Sequence, residues 1–310
     1  MIATITLNPS IDQLITVNGL VKDDANRATG ILRYPGGKGV NVSKAVRELG
    51  GPTHAYALVG GFSGEFWKHL LKGLDIPFTA TAVKGETRVN TIVTDVRDHT
   101  QTRVSAPGPL IPERVIDGFL RKLLKIRPRP SFWVLGGSLS TGMKPDTYRK
   151  MIRALQKNGG GACVLDADDE ALRLGVRAGP FMIKPNEYEI ERLLGKKLRT
   201  VGGYLGAARA LVKRGIRNVV VSLGAKGALF VNAREAYHVL TPRVSVKSRV
   251  GAGDCLIGGF LLGLERRMSF RQAARLGVAG STSAVMREAP RLCLKEDIRP
   301  LLGRIRIRVL

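Results

Sequence analysis

Short apolar runs alternate with longer amphipathic stretches along most of this chain. The runs with the length and residue types of buried strands cover residues 2–7, 55–59, 132–135, 162–165, 181–183, 219–223 and 228–231. The stretches in which apolar residues recur at helical spacing cover residues 40–49, 145–157, 187–194, 202–214 and 252–264. Strands that alternate with helices favour a parallel sheet with helices on both faces, so the pattern predicts an α/β protein.

Two regions, residues 12–34 and 87–103, depart from this alternation. Both are rich in threonine, valine and polar residues with a period of two, as in Thr91-Ile92-Val93-Thr94. We expect them to pair into a small separate sheet that forms a lid over one edge of a single domain spanning residues 1–310. Ordinary edge hairpins are the alternative. The tail, residues 304–310, alternates charged and apolar residues and predicts a last edge strand.

Composition places the chain among ordinary globular proteins, except for its charge. Hydrophobic residues make up 44% and charged residues 24%, but 50 Lys+Arg against 25 Asp+Glu give a net charge of +25. Such a charge suits nucleic-acid binding, a generally basic surface, or attraction of phosphorylated substrates. Because the basic residues are spread along the whole chain, we expect a basic surface that helps to attract phosphates, and no nucleic-acid partner.

The remaining compositional signals concern location. Cys163, Cys255 and Cys293 are far apart and show no metal-binding spacing, which argues against a disulfide framework and favours a reducing cytoplasm. The N-terminal residues lack the pattern of a signal peptide. The longest apolar stretch, residues 256–264, is too short to span a membrane, so no membrane association is expected.

The segment Gly251-Ala252-Gly253-Asp254 carries the strongest chemical signal. Two glycines and an alanine precede an aspartate at the start of an apolar helix. A helix N-terminus offers N–H groups to an anion, and small residues let a phosphate approach closely. Asp254 could accept the proton of an attacking hydroxyl in phosphoryl transfer. The alternative is a glycine-rich turn in which Asp254 only caps the helix.

A second glycine-rich segment, residues 34–42, also precedes a helix. Its backbone N–H groups, with Lys38 and Asn41, could hold sugar hydroxyls, or the segment could be a structural turn. It is not a Walker A loop, because the spacing and the terminal Lys-Ser/Thr pair are absent.

Two further segments follow strand-like runs. In Lys184-Pro185-Asn186-Glu187-Tyr188-Glu189, the side chains of Asn186 and Glu189 share one helix face and could order a hydrated Mg²⁺. A helix cap beside a solvated glutamate is the alternative. The turn at residues 222–227 could receive a nucleotide or be an ordinary hairpin.

Taken together and in this order, the segments resemble the signatures of the ribokinase-like (PfkB) family of carbohydrate kinases. The stretch Thr6-Leu7-Asn8-Pro9-Ser10-Ile11-Asp12 and the later Arg291-Leu292-Cys293 are similar to its hexose-phosphate branch. The resemblance implies a Rossmann-like three-layer α/β/α fold with a small β-sheet lid, and a homodimer formed through that lid. It also implies ATP with Mg²⁺ as cofactors and a sugar phosphate as the small-molecule partner.

The resemblance implies roles for individual residues as well. Asp254 would be the base, and Gly251, Ala252 and Gly253 would form the anion hole. The acceptor sugar would be held by Asp12, Gly36, Gly37, Lys38, Asn41 and Ser138, and its phosphate by Arg88 and Arg103. ATP and Mg²⁺ would be served by Lys184, Asn186, Glu189, Ser222, Gly224 and Gly227, with Asn186 and Glu189 reaching the metal through water.

This chain departs from the family pattern at a few positions. Arg249 stands two residues before Gly251, where relatives often have threonine, which makes a monovalent-cation site there doubtful. Ser140 replaces a proline, and Arg27 is the nearest basic residue on the first lid segment, where lysine is expected. We expect phosphorylation of fructose 6-phosphate, with fructose 1-phosphate and tagatose 6-phosphate as alternatives. A kinase of an unphosphorylated sugar and a non-enzymatic binder are the less favoured hypotheses.

Overall fold

A ten-stranded sheet lies at the centre of the computed structural model, which describes residues 1–159, 161–288 and 290–310. Its strands stand in the order β14-β13-β12-β11-β10-β9-β8-β1-β4-β5. Their bounds are β1 Ile2–Thr6, β4 Thr53–Val59, β5 Phe78–Ala82, β8 Phe132–Gly136, β9 Ala162–Asp166, β10 Met182–Ile183, β11 Asn218–Ser222, β12 Ala228–Asn232, β13 Ala236–Leu240 and β14 Arg306–Val309. The central strands β1 and β8 are buried along their whole length, because both faces of the sheet are covered.

The strands from β5 to β11 pair in parallel, as the alternating pattern predicts. The edge from β11 to β14 is antiparallel, which the prediction of a parallel sheet did not include. The reason is the connections: β11 and β12 are joined by a short turn at Gly224–Lys226, which has no length for a crossover helix. The expected edge strand in the C-terminal tail is confirmed as β14.

Helices cover both faces of this sheet and complete three layers. Those found in the described part of the chain are α1 Lys38–Glu48, α2 Gly61–Lys72, α3 Glu113–Leu124, α4 Thr147–Lys157, α5 Asp169–Val176, α6 Glu187–Leu194, α7 Val201–Lys213, α8 Ala252–Glu265, α9 Phe270–Val285 and α10 Lys295–Arg304. One core lies between the sheet and α3–α7, and a second between the sheet and α1, α8, α9 and α10. No helix among the described residues is long and apolar enough to cross a membrane.

The helices predicted from apolar spacing are present, with ends shifted by a few residues. Helices α2, α3, α5, α9 and α10 were not among those predictions. In α9 the apolar stripe is built from alanine, glycine and small polar residues, which weakens its signal. Its start is nevertheless marked by a capping box in which Ser269 and Gln272 bond to each other's backbone.

A second sheet of four strands stands apart from the first, in the order β3-β2-β6-β7. Its strands are β2 Ser10–Val17, β3 Gly30–Gly36, β6 Arg88–Asp95 and β7 Thr100–Val104, all within or next to the two regions of period-two pattern. Asp12 lies opposite both Tyr34 and Asn90. Since side chains alternate along strands, these residues share one face with Arg88 and Arg103.

Candidate active site

The carboxyl ends of five neighbouring parallel strands meet at one edge of the main sheet. They are β1, β8, β9, β10 and β11. The residues at or just after these ends include Asn8, Ser138, Asp166, Lys184 and Ser222. Ligands of open α/β sheets bind outside this edge. The fold thus brings together segments that are far apart in sequence, among them several that were predicted to carry chemistry.

Helix α8 begins at this edge with the segment Gly251–Asp254. Gly251 is its N-cap in a left-handed conformation with a φ of 73°, and a Cβ at this position would lie 2.5 Å from Cδ2 of Leu292. Both the backbone angle and the neighbouring side chain therefore require glycine. Ala252 opens the helix, and Asp254 lies in its first turn, only 7% exposed.

The glycine-rich segment of residues 34–42 holds Asp254 by a hydrogen bond. Gly37 is the N-cap of α1, and one turn later the Nδ2 of Asn41 donates a hydrogen bond of 2.9 Å to Oδ2 of Asp254. Burial raises the pKa of Asp254 to about 7, and the charge of Asp166 adds to this, whereas Asn41, Lys38 and Lys184 oppose it. A carboxyl group with this pKa can exchange a proton near neutral pH, as a general base must.

Asp166 binds two lysines at the same edge, and the sequence reasoning did not identify it. The Nζ atoms of Lys38 and Lys184 lie 3.3 and 3.4 Å from the same oxygen, Oδ1 of Asp166. Burial alone would raise the pKa of Asp166, but Lys184 and Lys38 hold it below its usual value. A Cβ on Gly253 would lie 3.2 Å from Nζ of Lys184, so the ammonium group lies beside the anion-hole segment.

Lys38 was predicted to hold the sugar, and that role stays a prediction. Its ammonium group lies against Asp166, at the end of β9 in the main sheet. One signal could have found Asp166: like Lys184, it is a charged residue at the carboxyl end of a buried strand in the parallel sheet.

Asp12 is fixed on the inner face of the small sheet. Its Oδ1 accepts hydrogen bonds of 2.8 Å from Oγ of Ser10 and from Nδ2 of Asn90. Its Oδ2 lies against Gly36, where any side chain would collide with the carboxylate. The glycine thus places no side chain against this second oxygen, and the hydrogen bonds found among the described residues use only Oδ1.

Arg88 crosses from the small sheet toward the main one. Its Nη2 donates to the carbonyl of Asn8 at 3.1 Å and its Nη1 to the carbonyl of Ala106 at 3.3 Å. Burial lowers the pKa of Arg88; Asp12 opposes this shift, and the positive charge of Arg103 adds to it. Among the described residues, neither arginine has a carboxylate within ion-pair distance. This face of the small sheet thus carries two guanidinium groups that an anion can bind.

Several buried polar atoms around this face lack a hydrogen-bond partner in the described part of the chain. They are Oγ1 of Thr6, Oδ1 of Asn8, the hydroxyl of Tyr34 and Nε of Arg88. The Nδ2 of Asn8 does have a partner, because it donates to Oγ of Ser138 at 3.2 Å. Three further atoms of this kind lie elsewhere in the described part of the chain, namely Nε1 of Trp67, Nε1 of Trp133 and Nε of Arg275. An unpaired buried polar group costs about 1–3 kcal/mol, so the four where the two sheets approach each other favour a polar ligand there.

Lys44 is a further charged residue that the motif reasoning did not identify. Its Nζ donates to the carbonyl of Pro35 and lies 5.4 Å from the centre of the Tyr34 ring. Burial lowers the pKa of Lys44 to about 8, against the charges of Asp12 and Asp254. Its spacing from Asn41, about one helical turn, is the signal that places both on the same face of α1.

The predicted nucleotide and metal residues lie at the neighbouring strand ends. Asn186 and Glu189 form a capping box: Oδ1 of Asn186 accepts from the Glu189 N–H at 2.8 Å, and Oε2 of Glu189 accepts from the Asn186 N–H at 2.9 Å. Ser222 pairs with Asn186 in a single parallel bridge. Burial raises the pKa of Glu189, while Lys184 opposes this.

The remaining predicted positions are two glycines in the turn after β11. Gly224 and Gly227 bound a short 3₁₀ segment between antiparallel strands, which is the hairpin that the sequence left open as an alternative. Arg249 is exposed next to the start of α8, and Arg103 is exposed on β7.

Comparison with known proteins gives matches over nearly the whole chain. The family model for pfkB carbohydrate kinases matches residues 5–297. The chain is 32% identical over 308 residues to 1-phosphofructokinase of Bacillus subtilis strain 168, covering 99% of each protein. It is also 32% identical over 302 residues to ATP-dependent 6-phosphofructokinase isozyme 2 of Escherichia coli K12, covering 97% of each.

The solved structures include close matches to the whole fold. Phosphofructokinase-2 from Escherichia coli in complex with fructose-6-phosphate has a TM-score of 0.91 at 32% identity, over 97% of this chain and 98% of that one. The same Escherichia coli protein has also been solved in a tetrameric inhibited form. These matches bear out the three-layer fold with its small sheet and the resemblance seen in the sequence. The chain therefore belongs to the pfkB family of carbohydrate kinases and is an ATP-dependent sugar kinase of the phosphofructokinase type.

Proposed function

We propose that the protein transfers the γ-phosphoryl group of ATP to a hydroxyl of a fructose phosphate. Fructose 6-phosphate is the first acceptor to consider, and fructose 1-phosphate is the second because relatives named for each are equally identical to this chain. The observation that carries the proposal is Arg88 with Arg103 on the inner face of the small sheet. A planar guanidinium group can donate two parallel hydrogen bonds to the oxygens of one phosphate. A sugar without phosphate would leave both guanidinium groups without an anionic partner.

The proton transfer is assigned to Asp254. With a pKa of about 7, its carboxylate accepts the proton of the acceptor hydroxyl as the phosphoryl group leaves ATP. Asn41 holds that carboxylate by its hydrogen bond to Oδ2. Low accessibility keeps water from competing with the acceptor hydroxyl.

The charge near Asp254 fits a bound triphosphate. Lys38 and Lys184 share the carboxylate of Asp166, and Nζ of Lys184 would lie 3.2 Å from a Cβ on Gly253, in the first turn of α8. An ammonium group beside the N–H groups of a helix N-terminus stabilises an anion there. When bound, ATP with Mg²⁺ supplies the phosphoryl group and a cation that offsets its charge.

The other predicted residues are assigned by position. Asp12, Gly36, Gly37 and Ser138 would contact the sugar, and Ser222, Gly224 and Gly227 the nucleotide. Asn186 and Glu189 would order Mg²⁺ through water, using the oxygens that remain outside their capping box.

A homodimer through the small sheet is part of the proposal. It is supported by apolar side chains exposed on that sheet, among them Ile31 at 52%, Leu32 at 51% and Val104 at 62%. The cytoplasmic location, which the free buried cysteines favour, and the lack of a nucleic-acid partner remain predictions.

The test compares acceptors with the purified protein, MgATP and a coupled assay for ADP. Fructose 6-phosphate, fructose 1-phosphate and tagatose 6-phosphate are compared with free fructose, with adenosine as a control acceptor. We expect the largest kcat/KM with one of the fructose phosphates. Turnover that is largest with fructose or adenosine would refute the proposed acceptor class.

A further inference from the structure

Tyr34 has a buried hydroxyl group without a described hydrogen-bond partner. Its side chain is 6% exposed, and its hydroxyl is among the unpartnered buried atoms. It stands on β3 directly opposite Asp12 on β2, so the two side chains lie next to each other on the inner face of the small sheet. The motif reasoning and the family signatures assign it no role.

The position of the ring is fixed from two directions. Strand pairing with β2 fixes its backbone, and Lys44 of α1 bonds the carbonyl of Pro35 while its ammonium group lies 5.4 Å from the ring centre. A phenol fixed in this way cannot readily turn to find another partner. Its hydroxyl is therefore ready to bond to a ligand without a large loss of side-chain entropy.

The phenol is protonated at neutral pH and can donate a hydrogen bond. Burial and the charge of Asp12 raise the pKa of Tyr34 to about 12, and Arg103 opposes this shift. The charged groups around it are Asp12 across the strand pair, Lys44 beneath the ring and Arg103 from β7. An O–H in these surroundings suits an anionic oxygen as its acceptor.

We propose that the hydroxyl of Tyr34 donates a hydrogen bond to the phosphate group that the acceptor sugar already carries. This makes Tyr34 a specificity-determining residue for phosphorylated acceptors, and the inference rests on the proposed function. Phosphate oxygens that have lost their protons only accept hydrogen bonds, so their site needs donors, which Arg88, Arg103 and Tyr34 supply. The sugar hydroxyls find acceptors elsewhere, in Asp12 and Asp254.

A purely structural role for Tyr34 makes a different prediction. If the ring only fills space, the hydroxyl is a cost to the fold, and Tyr34→Phe leaves the kinetics unchanged. If the hydroxyl bonds the phosphate, Tyr34→Phe raises KM for the fructose phosphate by about 10- to 100-fold, as expected for a bond to a charged group. We expect kcat to change little and kcat/KM for free fructose to stay unchanged within error.

The matched control is Tyr56→Phe. Tyr56 is equally buried, at 7% exposure, but packs on His54 and Trp133 on β4 and β8 of the main sheet. This variant should retain the KM of the wild type. Thermal unfolding of each variant, with and without fructose 6-phosphate or fructose 1-phosphate, separates folding from binding. Without ligand, Tyr34→Phe should be at least as stable as the wild type, because it loses an unpaired buried hydroxyl, but it should gain less stability from the ligand.

The outcomes distinguish the two claims. A KM for the fructose phosphate within about twofold of the wild type in Tyr34→Phe would overturn the role of Tyr34 and leave the proposed function standing. A wild type that is stabilised by fructose phosphates through Tyr34 but does not phosphorylate them would support Tyr34 and refute the proposed function. A wild type that neither binds nor phosphorylates them would overturn both.

Discussion

Asn41 and Asp254 are joined by a hydrogen bond of 2.9 Å although they lie 213 positions apart in the chain. Asn41 belongs to the glycine-rich start of α1, and Asp254 to that of α8. The two helices pack on the same face of the main sheet, so the residue assigned to the sugar and the residue assigned to proton transfer are held as one unit. Substitutions of Asn41, of Asp254 and of the charged residues around them should therefore change different quantities: turnover, its pH dependence, substrate binding or stability.

Replacing Asp254 should abolish most of the turnover. Asp254→Asn keeps the shape and accepts no proton, so kcat should fall by about 10²- to 10⁴-fold, while the KM values change little. The steady-state rate of ADP formation measures this. Asp117→Asn, a residue on the outer side of α3, is the control and should behave like the wild type. Nearly unimpaired turnover by Asp254→Asn would show that another group takes the proton.

The raised pKa of Asp254 in the free protein predicts a pH dependence of kcat/KM. Its carboxylate forms as the pH rises through about 7, so kcat/KM for the sugar phosphate should increase on the acidic side with an apparent pKa near that value. The folded protein also holds this proton more tightly than an unfolded chain does, where the aspartate has its ordinary pKa of 3.8. The resulting contribution to stability is present at low pH and is lost between about pH 4 and 7. A kcat/KM that stays flat across this range would contradict the assignment.

Removing the hydrogen bond from Asn41 should shift that profile. The bond lowers the pKa of Asp254, so Asn41→Ala should raise that pKa and move the acidic limb of kcat/KM to higher pH. The pH profile of kcat/KM is the measurement, and Asn158→Ala at the exposed C-terminus of α4 is the control. A limb that moves to lower pH would mean that the bond does not favour the charged carboxylate.

The contact between Lys38 and Asp166 shows how much the sequence could predict. The alternation of strands and helices predicted the layered fold, and the glycine-rich segments predicted which parts of the chain carry chemistry. Neither pattern shows which way a long side chain turns. Sugar binding by Lys38 stays a prediction, whereas the contact of its ammonium group with Asp166 could not be foreseen, because β9 is far from α1 in sequence.

The sequence alone also could not settle the roles of the turn after β11 and of the pair Asn186 and Glu189. Their spacing fits both a ligand site and a local motif, and the structure shows a hairpin and a capping box. Local hydrogen bonds of this kind form whether or not a ligand binds, so spacing alone does not distinguish them.

Neutralising Asp166 should cost far more stability than neutralising a surface carboxylate with the same number of lysines. Asp166→Asn leaves Lys38 and Lys184 without their buried partner, and we expect a loss of about 3–5 kcal/mol in the free energy of unfolding. Glu113→Gln is the matched control, because Glu113 bonds Lys144 and Lys150 at the surface. The loss from Glu113→Gln should be far smaller, because solvent screens the ion pairs of an exposed carboxylate. Urea unfolding measures both, and equal losses would contradict the account of Asp166.

The planar guanidinium group of Arg88 should contribute more to phosphate binding than its positive charge alone. Arg88→Lys keeps one positive charge but cannot bond phosphate in a bidentate manner, so KM for the fructose phosphate should rise by about tenfold or more. Arg114→Lys on the exposed part of α3 serves as the control. A KM that is unchanged in Arg88→Lys would indicate that Arg88 does not bind the phosphate.

The most direct test of the account is the ratio of kcat/KM for the fructose phosphates to that for free fructose, with the wild-type protein and MgATP. Two arginines that pair with phosphate predict a preference of at least about 100-fold for a fructose phosphate. Equal or better use of free fructose would contradict the central claim, because the charged face of the small sheet would then have no phosphate to bind.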